Sequence, residues 1–249
     1  MKRRTVLITG GARRLGAAIV RAVAAAGHRP VIHYGTSRAA AEALAEETGG
    51  IAVGGDLADL AGLPALFARA MEAGCGAIDG LVNSASAFAY DRPEAIDHAL
   101  ALRLHAVNCV APALLAQLLA AQPDIEDGAV VNLLDQKLAN PNPDFFSYSL
   151  TKYALAGATE MLAQALAPRV RVNAVSPGLT LPSGDQSGAE FARVASANLL
   201  GRPVGVDEVA RAVVYLLDAR SVTGQNLFVD CGQRFLKRDG DVMFEGRDG

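Results

Sequence analysis

Short β-branched runs alternate with longer alanine- and leucine-rich stretches from one end of the chain to the other, and nothing else constrains its fold as strongly. Thr5–Thr9, Pro30–Tyr34, Ile51–Val53, Ile78–Asn83, Ala129–Leu134, Val170–Val175 and Asn226–Asp230 have the length and composition of strands. Several are apolar on both faces, as strands covered by helices on each side should be. Between them, Leu15–Ala26, Arg38–Thr48, Leu60–Ala73, Pro93–Ala121, Tyr148–Leu166 and Asp207–Leu217 read as helices, with Gly27 and Gly74 as stops. Repeated strand-helix order means parallel βαβ units. No linker, charge block or internal repeat divides residues 1–249, so one domain is expected.

Such a chain can close into an eight-stranded barrel or open into a doubly wound sheet, and the turn after the first strand discriminates. Thr5-Val-Leu-Ile-Thr9 runs directly into Gly10-Gly11-Ala12-Arg13-Arg14-Leu15-Gly16, which opens a helix. Glycines there let the main chain approach a pyrophosphate, and the helix N-terminus offers it free N–H groups. The expectation is α/β: a Rossmann-type doubly wound sheet of about seven parallel strands, helices on both faces, binding a nucleotide.

Composition narrows the classes. With 51% of 249 residues hydrophobic, disorder is excluded. A net charge of −3 argues against a nucleic-acid partner. Cys75, Cys109 and Cys231 are far apart and odd in number, which suits reduced thiols and a cytoplasmic location. Behind the basic start Met1-Lys2-Arg3-Arg4 the apolar run is too short for a cleavable leader. The apolar stretch Ala99–Ala121 carries Arg103, His105, Asn108, Pro112 and Gln117, which makes it a buried helix rather than a membrane span. His28, His33, His98 and His105 form no ligand spacing; structural or surface roles and no metal site are expected.

Tyr148 and Lys152 stand four apart at the start of a helix, so both can line one cleft. An isolated pair of this kind is usually surface decoration. Following a nucleotide turn, it is a candidate acid: a neighbouring ammonium favours the phenolate and draws the tyrosine pKa down from about 10.

At these residues the chain resembles the short-chain dehydrogenase/reductase family over nearly its whole length. Thr9-Gly10-x-x-x-Arg14-x-Gly16 is similar to the family's glycine motif, and Asn83-Ser84-Ala85-Ser86 to its Asn-Asn-Ala-Gly element. Asn108, Tyr148-x-x-x-Lys152, Pro177-Gly178 and Thr223-Gly224-Gln225 complete the likeness. The departures point to a branch. Asp135 stands where the family has its catalytic serine, Arg14 replaces a glycine of the turn, and Ser86 ends the altered element with Phe88 two residues on. All are similar to the pteridine reductases, including the dihydromonapterin and dihydrofolate reductases of this fold.

The resemblance implies a catalytic set of Asp135, Tyr148, Lys152 and Asn108, the last in a proton relay. A pteridine is reduced at a ring C=N bond, so its proton goes to a basic nitrogen, and a partly protonated carboxyl beside Tyr148 suits that delivery. A substrate slot of Ser86, Phe88, Asp135, Tyr148 and Leu179 is implied, with Phe88 stacking on the flat ring unless it is merely core. Expected cofactor contacts are Gly10, Arg13, Arg14, Leu15, Gly16, Tyr34, Thr36, Ser37, Arg38, Asp56, Leu57, Asn83, Ala85, Ser86, Tyr148, Lys152, Pro177 and Gly178. After the second strand no carboxylate appears until Glu42, whereas Arg14, Ser37 and Arg38 suit a 2′-phosphate; NADPH is therefore expected over NADH. Residues 178–201 are expected to form a mobile segment over the substrate, and 235–249 a tail that covers a neighbouring subunit's pocket or hangs loose. A homotetramer is implied. Two alternatives stay open: a reductase of ketones or 3-oxoacyl thioesters, and a non-catalytic NADP-binding regulator.

Overall fold

The computed structural model describes residues 3–74, 76–182 and 188–241, with only the backbone of Ala189 and Glu190. The strands are β1 (Thr5–Thr9), β2 (Arg29–Tyr34), β3 (Ile51–Gly54), β4 (Gly80–Asn83), β5 (Gly128–Leu133), β6 (Val170–Pro177) and β7 (Asn226–Val229). They form one sheet in the order β3-β2-β1-β4-β5-β6-β7, every pair parallel. The helices are α1 (Arg14–Ala25), α2 (Arg38–Thr48), α3 (Leu63–Ala73), α4 (His98–His105), α5 (Ala111–Ala121), α6 (Phe146–Leu166), α7 (Gly188–Ala195) and α8 (Val206–Asp218). The chain is thus a Rossmann-type doubly wound α/β fold, and the strand order reverses at β1 and β4. Crevices outside the carboxyl ends of strands at such a reversal are where ligands bind in open sheets.

Alternation along β1 builds two cores from one strand. Val6 and Ile8 face α1 and α8, packing with Ile19, Val20, Val213 and Leu216. Leu7 faces the other way, against Leu63, Leu66, Phe67, Leu115 and Leu119. All of β4 and β5 is buried, which is why those runs are apolar without alternation.

The long helical stretch departs from expectation. It begins at His98 rather than Pro93, because the Asp97 side chain accepts the N–H groups of Ala99 and Leu100 at 2.9 and 3.2 Å and starts the helix there. Between α4 and α5, Ala106–Val110 form one wide π turn. By length and composition His98–Ala121 is apolar enough to cross a bilayer, at a mean hydropathy of 1.6. Here α5 packs against β4, β5, α3 and α6.

Cys109 and Cys231 are free thiols, and Cys75 lies outside the described residues. Of the segment expected to be mobile, residues 183–187 also lie outside, as do 242–249 of the tail.

Candidate active site

The turn between β1 and α1 is shaped for close approach. Gly10 has φ +63°, and a Cβ there would stand 2.8 Å from the Ala85 Cα. A Cβ on Gly16 would meet the Gly10 carbonyl oxygen at 2.1 Å. Only glycine fits both positions. Thr9 ties the turn to the loop after β4, its Oγ1 accepting the N–H groups of Ser84 and Ala85, each at 3.1 Å. From below, Nδ1 of His33 accepts the Gly10 N–H at 3.2 Å, while Nε2 lies 3.1 Å from the Gly55 carbonyl and must carry the proton. Burial pushes the His33 pKa down, so the neutral ring that this geometry needs is the favoured form.

Beside this turn a cavity of about 360 Å³ is lined by Gly10, Ala12, Arg13, Tyr34, Gly35, Thr36, Ser37, Gly55, Asp56 and Arg103. Arg13 with the Thr36 and Ser37 hydroxyls, beside the glycine turn, forms a donor set that fits a phosphorylated ribose.

A second cavity, about 460 Å³, lies over the carboxyl ends of β5 and β6. Ser86, Phe88, Asp135, Tyr148, Pro177, Gly178 and Leu179 all line it. The Tyr148 hydroxyl donates to Asp135 Oδ2 at 2.9 Å, and Asp135 Oδ1 accepts the Lys137 N–H at 2.9 Å. Burial pushes the Asp135 carboxyl above the ordinary carboxylate range. Burial, followed by the nearby Asp135 charge, holds Tyr148 well above its ordinary value. Phe88 is 49% exposed, so it is not core. Its ring stacks on Phe145 at 4.3 Å and 20°, and meets Tyr148 edge-on at 4.7 Å.

Lys152 Nζ donates to the Leu133 carbonyl at 2.8 Å and lies 5.5 Å from the Tyr148 ring centroid. Its burial draws its own pKa down to about 8. Asn108, on the wide helical turn, clasps the loop after β4. Its Oδ1 accepts the Ala87 N–H at 2.7 Å, and Nδ2 donates to the Ala87 carbonyl at 2.8 Å and Thr151 Oγ1 at 3.1 Å.

Several of the expected residues lie elsewhere than the sequence suggested. Lys152 is not among the groups that set the Tyr148 pKa; desolvation and the Asp135 carboxylate hold it up, so the phenol keeps its proton. Arg14 does not join Ser37. It takes φ 52°, turns to the Pro182 carbonyl at 2.6 Å, and lines the larger cavity, leaving Arg13 with Thr36 and Ser37. Arg38 is held by Glu42 at 2.8 Å on the surface, one turn along its own helix, outside the cavity. The Leu57 side chain packs in the core. Asn83 turns inward to Asn132 at 2.8 Å, matching its partner across β4 and β5. Asn108 bonds the loop after β4 and Thr151 Oγ1. Leu15 lines the larger cavity, and Ala85 sits beneath Gly10. His33, Thr9, Arg103 and Phe145 were not expected at the site; of these only Thr9, inside the glycine motif, carried a local signal.

Residues 10–234 match the family described as enoyl-(acyl carrier protein) reductase. The chain belongs to the short-chain dehydrogenase/reductase family and is an oxidoreductase. Among solved structures it is similar to the FolM alternative dihydrofolate reductase 1 from Brucella canis complexed with NADP, at 43% identity and TM-score 0.89, covering 94% of this chain and 95% of that one. Among curated relatives, dihydromonapterin reductase of Klebsiella pneumoniae is 26% identical over 235 residues, covering 92% of this chain and 96% of the relative. Acetoacetyl-CoA reductase of Rhizobium meliloti is 31% identical over 251 residues, covering 93% and 99%.

Proposed function

We propose that this chain reduces a dihydropteridine of the dihydromonapterin, dihydrobiopterin or dihydrofolate type to its tetrahydro form, using NADPH. The observation that carries this is the 2.9 Å bond from the Tyr148 hydroxyl to Asp135, where carbonyl-reducing members of the family are expected to have serine. The similarity to an alternative dihydrofolate reductase at 43% identity supports the same reading.

Arg13, Thr36 and Ser37 would hold the 2′-phosphate, the glycine turn would admit the pyrophosphate, and Lys152 would hold the nicotinamide ribose. NADPH, when bound, supplies the hydride. Tyr148 and Asp135 act as one acid unit. A proton shared between them passes to the basic ring nitrogen, and burial, which raises the carboxyl pKa, favours the protonated form of the unit. Phe88, backed by Phe145, offers a flat aromatic face for the heterocycle. Asn108 and Thr9 are positioning residues that fix the loop carrying Ser86 and Phe88.

The similarity to an acetoacetyl-CoA reductase supports a second reading, carbonyl reduction. Asp135 weighs against it, because a carboxylate beside a developing alkoxide repels it unless protonated. A non-catalytic NADP-binding regulator is disfavoured by a hydrogen-bonded Asp–Tyr pair lining the cavity, for which a mere binder has no use.

The test is NADPH oxidation with dihydromonapterin, dihydrobiopterin, dihydrofolate and an acetoacetyl thioester. Turnover of a pteridine above the thioester is expected, and no pteridine turnover overturns the proposal. A cytoplasmic homotetramer is part of the same reading. Exposed Leu102, Leu150 and Met161 on α4 and α6 supply apolar surface for subunit contact.

A further inference from the structure

The C-terminal segment reaches the larger cavity, and none of the chemistry above uses it. After β7 the chain makes a short turn at Gln233–Phe235. Gln233 is buried and its side-chain carbonyl accepts the Leu179 N–H at 3.1 Å. Asn140 then donates to the Leu236 carbonyl at 2.6 Å, and Arg238 donates through Nη2 to the Ala197 carbonyl at 2.8 Å. The segment is thus laid across its own subunit's site, and Gln233, Arg238 and Asp241 line the cavity together with Asp135 and Tyr148.

Asp241 is held at both ends. Its N–H donates to Asp144 Oδ2 at 2.8 Å, and its carboxylate accepts from Lys137 Nζ at 3.3 Å. Lys137 is itself buried, donates to the Asp144 carbonyl, and stands 5.5 Å from the Phe145 centroid, behind the ring that supports Phe88. The ammonium at this end of the cavity is therefore already occupied by a carboxylate of the same chain.

We propose that Asp241 is a specificity-determining residue: by covering Lys137 it makes the cavity select a ring substituent that is uncharged and hydroxylated over one that ends in a carboxylate. This rests on the pteridine reading. An anionic tail meets Asp241 where Lys137 would otherwise attract it, and that repulsion is an obstacle built against the wrong substrate. A hydroxyl can donate to the same carboxylate at no electrostatic cost.

The test is the ratio of kcat/KM for dihydromonapterin, whose side chain is a short polyol, to that for dihydrofolate, whose side chain ends in glutamate. The wild-type protein is expected to favour the polyol. Asp241→Asn should shift the ratio toward dihydrofolate roughly tenfold, the scale of one partly screened charge contact. Lys137→Gln, which removes the ammonium from beside Asp241, should shift it the other way. A ratio unchanged in Asp241→Asn, or moved in the same direction by both variants, overturns the inference while leaving pteridine reduction intact. If the wild-type protein reduces neither substrate, the pteridine reading itself falls, and this inference with it.

Discussion

Tyr148 donates its hydroxyl proton to Oδ2 of Asp135 at 2.9 Å, the tyrosine buried and the carboxylate partly so. Asp135 tightens the hold of Tyr148 on its proton, while the tyrosine hydroxyl favours the ionised form of Asp135, so the two titrations are coupled. The expected consequence of Tyr148→Phe is a fall in kcat of about 10²- to 10⁴-fold, the usual contribution of one positioned acid. NADPH affinity, followed by nicotinamide fluorescence, should change little. Full activity in this variant removes the proton-donor role.

The rate should also depend on pH with a definite sign. The acid unit works at full rate only while the carboxyl carries its own proton, Tyr148 staying protonated throughout, and burial raises the Asp135 pKa above the ordinary value near 4. Pteridine turnover is therefore expected to decline as pH rises through that elevated pKa. In Asp135→Ser the declining limb should move or disappear. Lys152, with its pKa near 8, adds a second effect: above that pH its ammonium is lost and KM for NADPH should climb. Initial rates between pH 5 and about 9.5 read both.

The two arginines of the turn should separate cleanly. Arg13→Ala is expected to raise KM for NADPH at least tenfold while sparing NADH, because a guanidinium contact to phosphate is charge-assisted and worth about 1.5–3 kcal/mol. Arg14→Ala should not distinguish the two cofactors. Its backbone φ of 52° suits glycine better than a side-chain-bearing residue. Arg14→Gly should accordingly be more stable than Arg14→Ala by about 1 kcal/mol in denaturant unfolding.

His33 predicts an acid sensitivity. Its folded pKa lies below the ordinary value near 6.5, so the unfolded chain binds more protons in the interval between the two. Stability is complete above about 6.5 and is lost as pH falls through the depressed pKa. Thermal unfolding midpoints measured from pH 7.5 down to about 5 should decline, and less steeply in His33→Asn. NADPH affinity should weaken in parallel, since the protonated ring no longer accepts the Gly10 N–H.

The alternation of β-branched and alanine-rich runs made the sheet legible, since β4 and β5 are buried on both faces and apolar but for Asn83 and Asn132, which bond each other. The Asp135–Tyr148 pairing was legible from spacing and resemblance together. What sequence could not show was direction. Arg13 and Arg14 are neighbours, and only the backbone angle at Arg14 sends one toward Ser37 and the other toward Pro182. Arg38 carried the right charge but found Glu42 first. His33 looked ordinary because its partners, Gly10 and Gly55, offer only main-chain atoms, which no residue pattern records. The sign of the Tyr148 shift depended on burial, which pairwise spacing to Lys152 does not contain.

The wide turn at Ala106–Val110 inserts one residue into an otherwise regular spiral, so α5 is rotated by about 100° from where a continuous α-helix would carry it. The two halves of His98–Ala121 therefore present separate stripes, out of phase with one another. Deleting any single residue between 106 and 110 would restore an unbroken spiral and swing Asn108 away from Ala87. This irregularity acts as the registration mark that aligns a long scaffold element with a short loop, and the chain keeps it at the expense of a more regular helix.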